Sequence, residues 1–150
     1  MNVSEIIAAE LKKNSIKDIF MLTGYGAMYL NDAIEQSGIK YYAARNEAAA
    51  PMMAEAYAKS KNQIGAVCVT AGPGATNALP GLAEAFVDSA PVIIISGQVE
   101  NEFCADTYKK LNIRTLGTAE FSITRILDKI TKYSVKIDKP KNCLYLIQKA

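Results

Sequence analysis

Four short strand-like runs, the first three each leading through a turn into a helix-forming stretch, constrain this 150-residue chain more than any other feature. The runs are Asp18–Leu22, Lys40–Ala43, Gly65–Thr70 and Pro91–Ser96. The last reads Pro-Val-Ile-Ile-Ile-Ser, an apolar run that suits a parallel strand covered on both faces. Between them lie helical stretches: one ending near Ser37-Gly38, an alanine- and methionine-rich one beginning near Ala48 or Ala49 and running to Lys59, and one over Ala78–Phe86. Pro51 falls in the first turn of the second, where a missing N–H costs nothing. Connections of this length between strands imply right-handed βαβ crossovers. The expected fold is α/β, a parallel sheet covered by helices on both faces.

Outside this alternation the signals are thinner. Ser4 is the expected cap of a first helix to about Asn14, with Ile6, Ile7 and Leu11 on one face. Glu100–Arg114 is more polar and irregular. A short helix is expected near Glu120–Lys129 and a strand near Thr131–Ile137. Asn142–Ala150 reads as the opening turns of a helix, with no cap at Gln148-Lys149-Ala150.

Seventeen Lys+Arg against fifteen Asp+Glu give +2, no basis for nucleic-acid binding. The chain has no histidine, which removes Ser–His–Asp and Cys–His mechanisms and any imidazole base. Chemistry must then run on carboxylates, hydroxyls, amines or a cofactor. Cys68, Cys104 and Cys143 are far apart without CxxC spacing, so neither a zinc site nor a disulfide framework is expected. Free thiols, an N-terminus unlike a signal peptide and no apolar run near membrane-spanning length predict a soluble cytoplasmic domain.

In an open parallel sheet, ligands sit beyond the carboxyl ends of the strands. Three loops qualify: Thr23–Ala27, Ala44–Glu47 and Ala71–Asn77. Each has a plain reading beside a functional one. Gly72-Pro73-Gly74 is either a tight strand-to-helix turn or a phosphate cradle at a helix start, but no P-loop, since no Gly-Lys-Ser/Thr follows. Gly24-Tyr25-Gly26 lacks the third glycine of a dinucleotide fingerprint. Glu47 is either an acid favoured by a helix dipole or a working carboxylate, and Asn77 either an N-cap or a ligand contact.

The combination is more specific. Arg45-Asn46-Glu47-Ala48-Ala49-Ala50, Ala54-Glu55-Ala56-Tyr57-Ala58-Lys59, Val69 through Asn77 and Ile95-Ser96-Gly97-Gln98-Val99 stand in this order and spacing. Together they closely resemble the pyrimidine-binding (Pyr) domain of thiamine-diphosphate (ThDP) enzymes, of the acetolactate synthase (acetohydroxyacid synthase) large-subunit group. The resemblance covers essentially the whole chain, through Arg114-Thr115-Leu116-Gly117 and Ile130-Thr131-Lys132-Tyr133. It implies flavodoxin- or Rossmann-like layers, and an incomplete Pyr domain over 1–150, cut before its last strand, with the middle and PP domains outside this chain.

By this resemblance Glu47 is the catalytic glutamate. Its carboxyl group would hydrogen-bond N1′ of the cofactor's aminopyrimidine and favour the imino tautomer, whose nitrogen deprotonates thiazolium C2. Gly72, Pro73 and Asn77 would line the pyrimidine on one side, with Thr70 beside them, and Gly24 and Tyr25 would approach from the other. Gln98 and Arg114 are the candidate substrate contacts. No Gly-Asp-Gly occurs, so no metal ligand is assigned; diphosphate and Mg2+ are expected on the PP domain of another subunit, and FAD, where the group uses it, largely on the middle domain.

Some positions depart from the family pattern. Thr23-Gly24-Tyr25-Gly26 stands where acetolactate synthases usually have Pro-Gly-Gly, a variant that looks more like ThDP proteins of surface-polysaccharide pathways. Asn46 stands where they usually have histidine; Asn-Glu is common among pyruvate-decarboxylase-type enzymes, but Ile113-Arg114 replaces the histidine pair those carry. Arg114 reads equally as a solvated side chain or a partner of Glu120. The expected function is that of an acetolactate synthase-like carboligase acting on a pyruvate-like 2-oxo acid, as a homodimer or tetramer, with this piece alone inactive. A non-oxidative 2-oxo acid decarboxylase, including a sulfo- or phosphonopyruvate type, and a non-catalytic assembly module are the alternatives.

Overall fold

The computed structural model describes residues 1–150, the side chain of Lys109 excepted. Four parallel strands form one sheet in the order β2-β1-β3-β4. They are β1 (Asp18–Met21), β2 (Lys40–Ala43), β3 (Gly65–Val69) and β4 (Val92–Ser96). Register is continuous across the core: Phe20 lies opposite Tyr42 on one side and Val67 on the other, and Val67 opposite Ile94. The crossovers are α2 (Met28–Ser37), α3 (Ala49–Lys61), and the pair α4 (Pro73–Asn77) and α5 (Leu79–Val87). The expected α/β fold is what forms.

Both sheet faces are covered because strand side chains alternate with period two. Ile19, Met21, Ala66 and Cys68 pack with Ile7, Leu11, Leu30 and Ile34 of α2 and the first helix α1 (Val3–Lys13). Phe20, Val67 and Val69 point the other way, against Ala50 and Ala54 of α3 and Leu82 of α5. Ile19 and Val67 are completely buried, each worth about 2 kcal/mol of transfer free energy. Ala50, Ala54 and Ala58 recur every fourth residue and are also fully or almost fully buried, so small side chains let α3 lie close to the sheet. Gly65 continues that closeness: a Cβ there would run into the Ala54 carbonyl.

The first helix starts differently from its expected cap. Asn2, not Ser4, accepts from the Glu5 amide at 2.9 Å, and Glu5 accepts from the Asn2 amide at 2.9 Å. This reciprocal box needs an acid three residues past the cap; Ile7 stands there relative to Ser4.

Beyond β4 the polar stretch winds into 3-10 turns over Asn101–Phe103 and Ala105–Leu111. The helix expected near Glu120–Lys129 is a single turn, α6 (Ile123–Leu127), and α7 (Cys143–Lys149) follows, packed on α1. The strand expected near Thr131–Ile137 does not form. Its alternating apolar residues are there, but among the described residues no neighbour supplies a hydrogen-bond ladder, which a strand requires. Among the described residues, no helix is long and apolar enough to cross a membrane.

Candidate active site at the switch point of the sheet

Chain order places the site. From β1 the chain moves outward to β2, then crosses back over β1 to β3, so the carboxyl ends of β1 and β3 diverge into two loops. Such a reversal of strand order opens a crevice for ligands. The segment after β1 holds Gly24, Tyr25 and Gly26, and the one after β3 holds Thr70, Ala71 and Gly72 before Pro73 and Gly74 open α4.

Glu47 enters this crevice from the turn before α3. Asn46 fixes that turn: its Oδ1 accepts from the Ala49 amide at 2.9 Å, capping the helix start. Glu47 is then free of helix duty and half-buried. Asn77 Nδ2 donates to Glu47 Oε2 at 2.7 Å. Glu47 Oε1 has no hydrogen bond among the described residues and faces Gly74, where a Cβ would come within 3.2 Å of it.

The stretch Ala71–Asn77, expected as a loop, contains the five-residue helix α4. Asn77 is therefore not an N-cap; it ends α4 and reaches sideways to Glu47. Gly72 begins the turn with φ +57 and ψ −120, and a Cβ would collide with the Ala119 carbonyl. Only glycine meets both demands. The phosphate-cradle alternative fails on donors. Pro73 has no N–H, and the Gly74 and Thr76 amides already donate to Ala71 and Gly72 carbonyls at 3.3 and 3.0 Å.

Thr70 ties the loops together. Its Oγ1 accepts from the Gly26 amide at 3.0 Å, and its carbonyl accepts from Ser96 Oγ at 3.2 Å. Gly97, at the end of β4, packs so closely on the Gly26 carbonyl that a Cβ would not fit. Sequence reasoning missed Gly26 and Gly97 as site residues, while Gly74 lies in the Gly72-Pro73-Gly74 turn that it marked. Their signal was position, each just past a strand that ends at the crevice.

The remaining candidates make no hydrogen bond to Glu47 among the described residues. Tyr25 is exposed and begins a 3-10 turn above Gly24, and Pro73 is exposed at the head of α4. Gln98 is occupied locally: its Nε2 donates to the Phe121 carbonyl at 3.2 Å and its Oε1 accepts from the Val99 amide. Arg114 is exposed and forms no ion pair among the described residues. The Glu120 pairing is not made; buried Glu120 instead accepts from the Ala105 amide at 3.0 Å. Among the described residues, no group of three His, Cys, Asp or Glu side chains could hold a metal ion.

A family model described as "Thiamine pyrophosphate enzyme, N-terminal TPP binding domain" matches residues 1–118. Similar proteins include the acetolactate synthase large subunit of Lactococcus lactis subsp. lactis (strain IL1403), 38% identical over 89% of this chain and 22% of that protein. The acetolactate synthase large subunit of Haemophilus influenzae is 38% identical over 73% of this chain and 20% of its own length. The isozyme 2 large subunit of Escherichia coli (strain K12) is 33% identical over 79% of this chain and 22% of its own. The chain thus spans about a fifth of the length of these relatives.

Proposed function

The chain belongs to the thiamine pyrophosphate enzymes, as part of their N-terminal TPP-binding domain, and on that premise we propose that it supplies the Glu47 side of a ThDP site in an acetolactate synthase-like enzyme. The reaction is decarboxylation of a pyruvate-like 2-oxo acid and transfer of the acyl unit to an acceptor. The observation that carries this reading is the Glu47 carboxylate, held through Oε2 by Asn77 with Oε1 unengaged over a glycine at the switch point of the sheet.

The residues present fit an aromatic nitrogen heterocycle. Glu47 Oε1 is an acceptor left without a hydrogen-bond partner among the described residues, the group that a protonated ring nitrogen needs. Gly72, Pro73 and Asn77 form one wall, and Gly24 and Tyr25 the other. When bound, ThDP supplies the electron sink for loss of carbon dioxide. Glu47 would hold the pyrimidine and carry the proton shared with its ring nitrogen on Oε1, while Asn77 engages Oε2. Gln98 and Arg114 are assigned to the 2-oxo acid, Arg114 by charge complement to its carboxylate.

The other half of the site belongs to a PP domain carrying the diphosphate and Mg2+. In this reading it comes from a second subunit of a homodimer or tetramer, the middle and PP domains lying elsewhere in a longer protein. A 2-oxo acid decarboxylase is the second reading, favoured by Asn46 before Glu47. Asn46 is accounted for locally, however, because it caps α3. A non-catalytic module would have no use for a carboxylate held open at Glu47.

The test is Glu47→Gln in the full-length protein. Exchange of the C2 proton of bound ThDP should fall at least ~100-fold, the scale of a lost general acid–base group, with thermal stability unchanged. Undiminished exchange would remove Glu47 from the role. Product analysis with pyruvate alone, then with added aldehydes or keto acids, separates carboligase from decarboxylase.

A further inference from the structure

Resting on the ThDP reading, we propose that Thr70 is a positioning residue: it does not touch the cofactor but clamps the loop after β1 to the loop after β3, setting the width of the cleft that Glu47 faces. Three glycines crowd its side chain. A Cβ on Gly24 would fall 2.6 Å from Thr70 Cβ, one on Gly74 2.5 Å from Thr70 Cγ2, and one on Gly26 3.2 Å from Thr70 Oγ1. Gly24 and Gly26 come from one wall of the crevice and Gly74 from the other. The hydroxyl and the methyl divide the work. Oγ1 accepts from the Gly26 amide at 3.0 Å, and Cγ2 rests on Gly74, whose other neighbour is Glu47 Oε1.

The clamp is anchored from behind. The Thr70 carbonyl accepts from Ser96 Oγ, and the Gly97 amide donates to the Val69 carbonyl at 2.9 Å, so β4 fixes the backbone on which Thr70 rides. Gly97 also presses on the Gly26 carbonyl. Gly26 is therefore bonded at its amide by the residue after β3 and packed at its carbonyl by the residue after β4. The first wall, with Gly24 and Tyr25, has no other side-chain hydrogen bond among the described residues tying it to the second. Loss of the Thr70 hydroxyl should release that wall while leaving Asn77 and Glu47 as they are.

The experiment uses the full-length protein with Thr70→Val, which keeps the shape and loses the acceptor, and Thr70→Ser, which keeps the acceptor. Two quantities are read: amide hydrogen exchange of the Gly26-containing peptide without cofactor, and equilibrium ThDP binding with C2-proton exchange at saturating ThDP. For Thr70→Val the Gly26 peptide should exchange at least ~10-fold faster and ThDP should bind ~10-fold more weakly, the scale of one hydrogen bond. The saturated C2 exchange rate should stay within ~3-fold of wild type. Thr70→Ser should restore protection and affinity to within ~2-fold. Should Thr70→Val not fold, Thr70→Ala takes its place, being smaller and unable to overpack.

The proposal is overturned by unchanged Gly26 protection in Thr70→Val or by failure of serine to restore it. Weaker ThDP binding with Gly26 protection intact would also overturn it, because the hydroxyl would then act on the cofactor directly. If wild-type protein bound no ThDP, the functional reading would fail, and the Gly26 exchange data would still decide whether Thr70 is the clamp.

Discussion

Asn77 donates its side-chain amide to Glu47 across thirty positions of sequence, at 2.7 Å, from the end of one helix to the turn before another. The bond orients the carboxylate by occupying one oxygen. Asn77→Ala in the full-length protein should slow C2-proton exchange of bound ThDP about tenfold, the value of one orienting hydrogen bond to a charged group. Combined with Glu47→Gln it should add nothing, because two residues acting through one contact are not additive. An additive double variant, measured by the same NMR exchange assay, would show that Asn77 acts on its own.

That contact also marks the boundary of what the sequence discloses. The strand–helix alternation was legible because each element declares itself within a few residues, and the glycine-rich turns fall at strand ends. Glu47 was legible as a motif. Asn77 reads as a cap or a ligand contact, and neither reading points to Glu47, its partner thirty residues away. Asn2 and Glu5 carried a visible capping-box spacing that the serine next to them obscured. Thr131–Ile137 has the pattern of a strand without the neighbour that would make it one, and no local pattern reports a missing neighbour.

Gly72 is fixed by two independent constraints, a positive φ and the Ala119 carbonyl where a Cβ would be. Gly38 has only the first: its φ is +77, and a Cβ would meet nothing closer than Lys12 Nζ at 3.9 Å. Gly72→Ala should cost about 3 kcal/mol and Gly38→Ala about 1 kcal/mol. Thermal unfolding of both variants checks this; equal losses would mean that the Ala119 contact carries no weight.

Cys68, Cys104 and Cys143 are completely buried. Burial pushes the Cys68 thiol up to about 12, far from the thiolate that alkylating reagents need. Iodoacetamide should leave all three unmodified in the native protein and label all three in urea, read by peptide mass spectrometry. Early labelling of Cys68 in folded protein would place it outside the core.

Lys59 on α3 bridges buried Glu55, at 2.6 Å, and Asp88 at the end of α5. The hydrogen bond from Lys59, then its charge, holds the Asp88 carboxyl below its ordinary 3.8, and Asp88 first, then Glu55, raises Lys59 above 10.5. The signs follow from which form each state prefers. A depressed acid stabilises the fold above pH 3.8 and loses that contribution as pH falls through its folded value; a raised lysine stabilises below 10.5 and loses it as pH rises. Lys59→Met removes both and leaves Glu55 buried without its cation, which disfavours the ionised acid. The penalty should therefore be largest near neutrality and shrink as pH falls from 3.8 through the lowered folded value of Asp88. Asp88→Asn keeps the Glu55 pair and, being exposed, should cost little. Urea unfolding at about pH 2 and pH 7 separates these outcomes: a Lys59→Met penalty independent of pH would mean lost side-chain packing, not the ion pairs, ties α3 to α5.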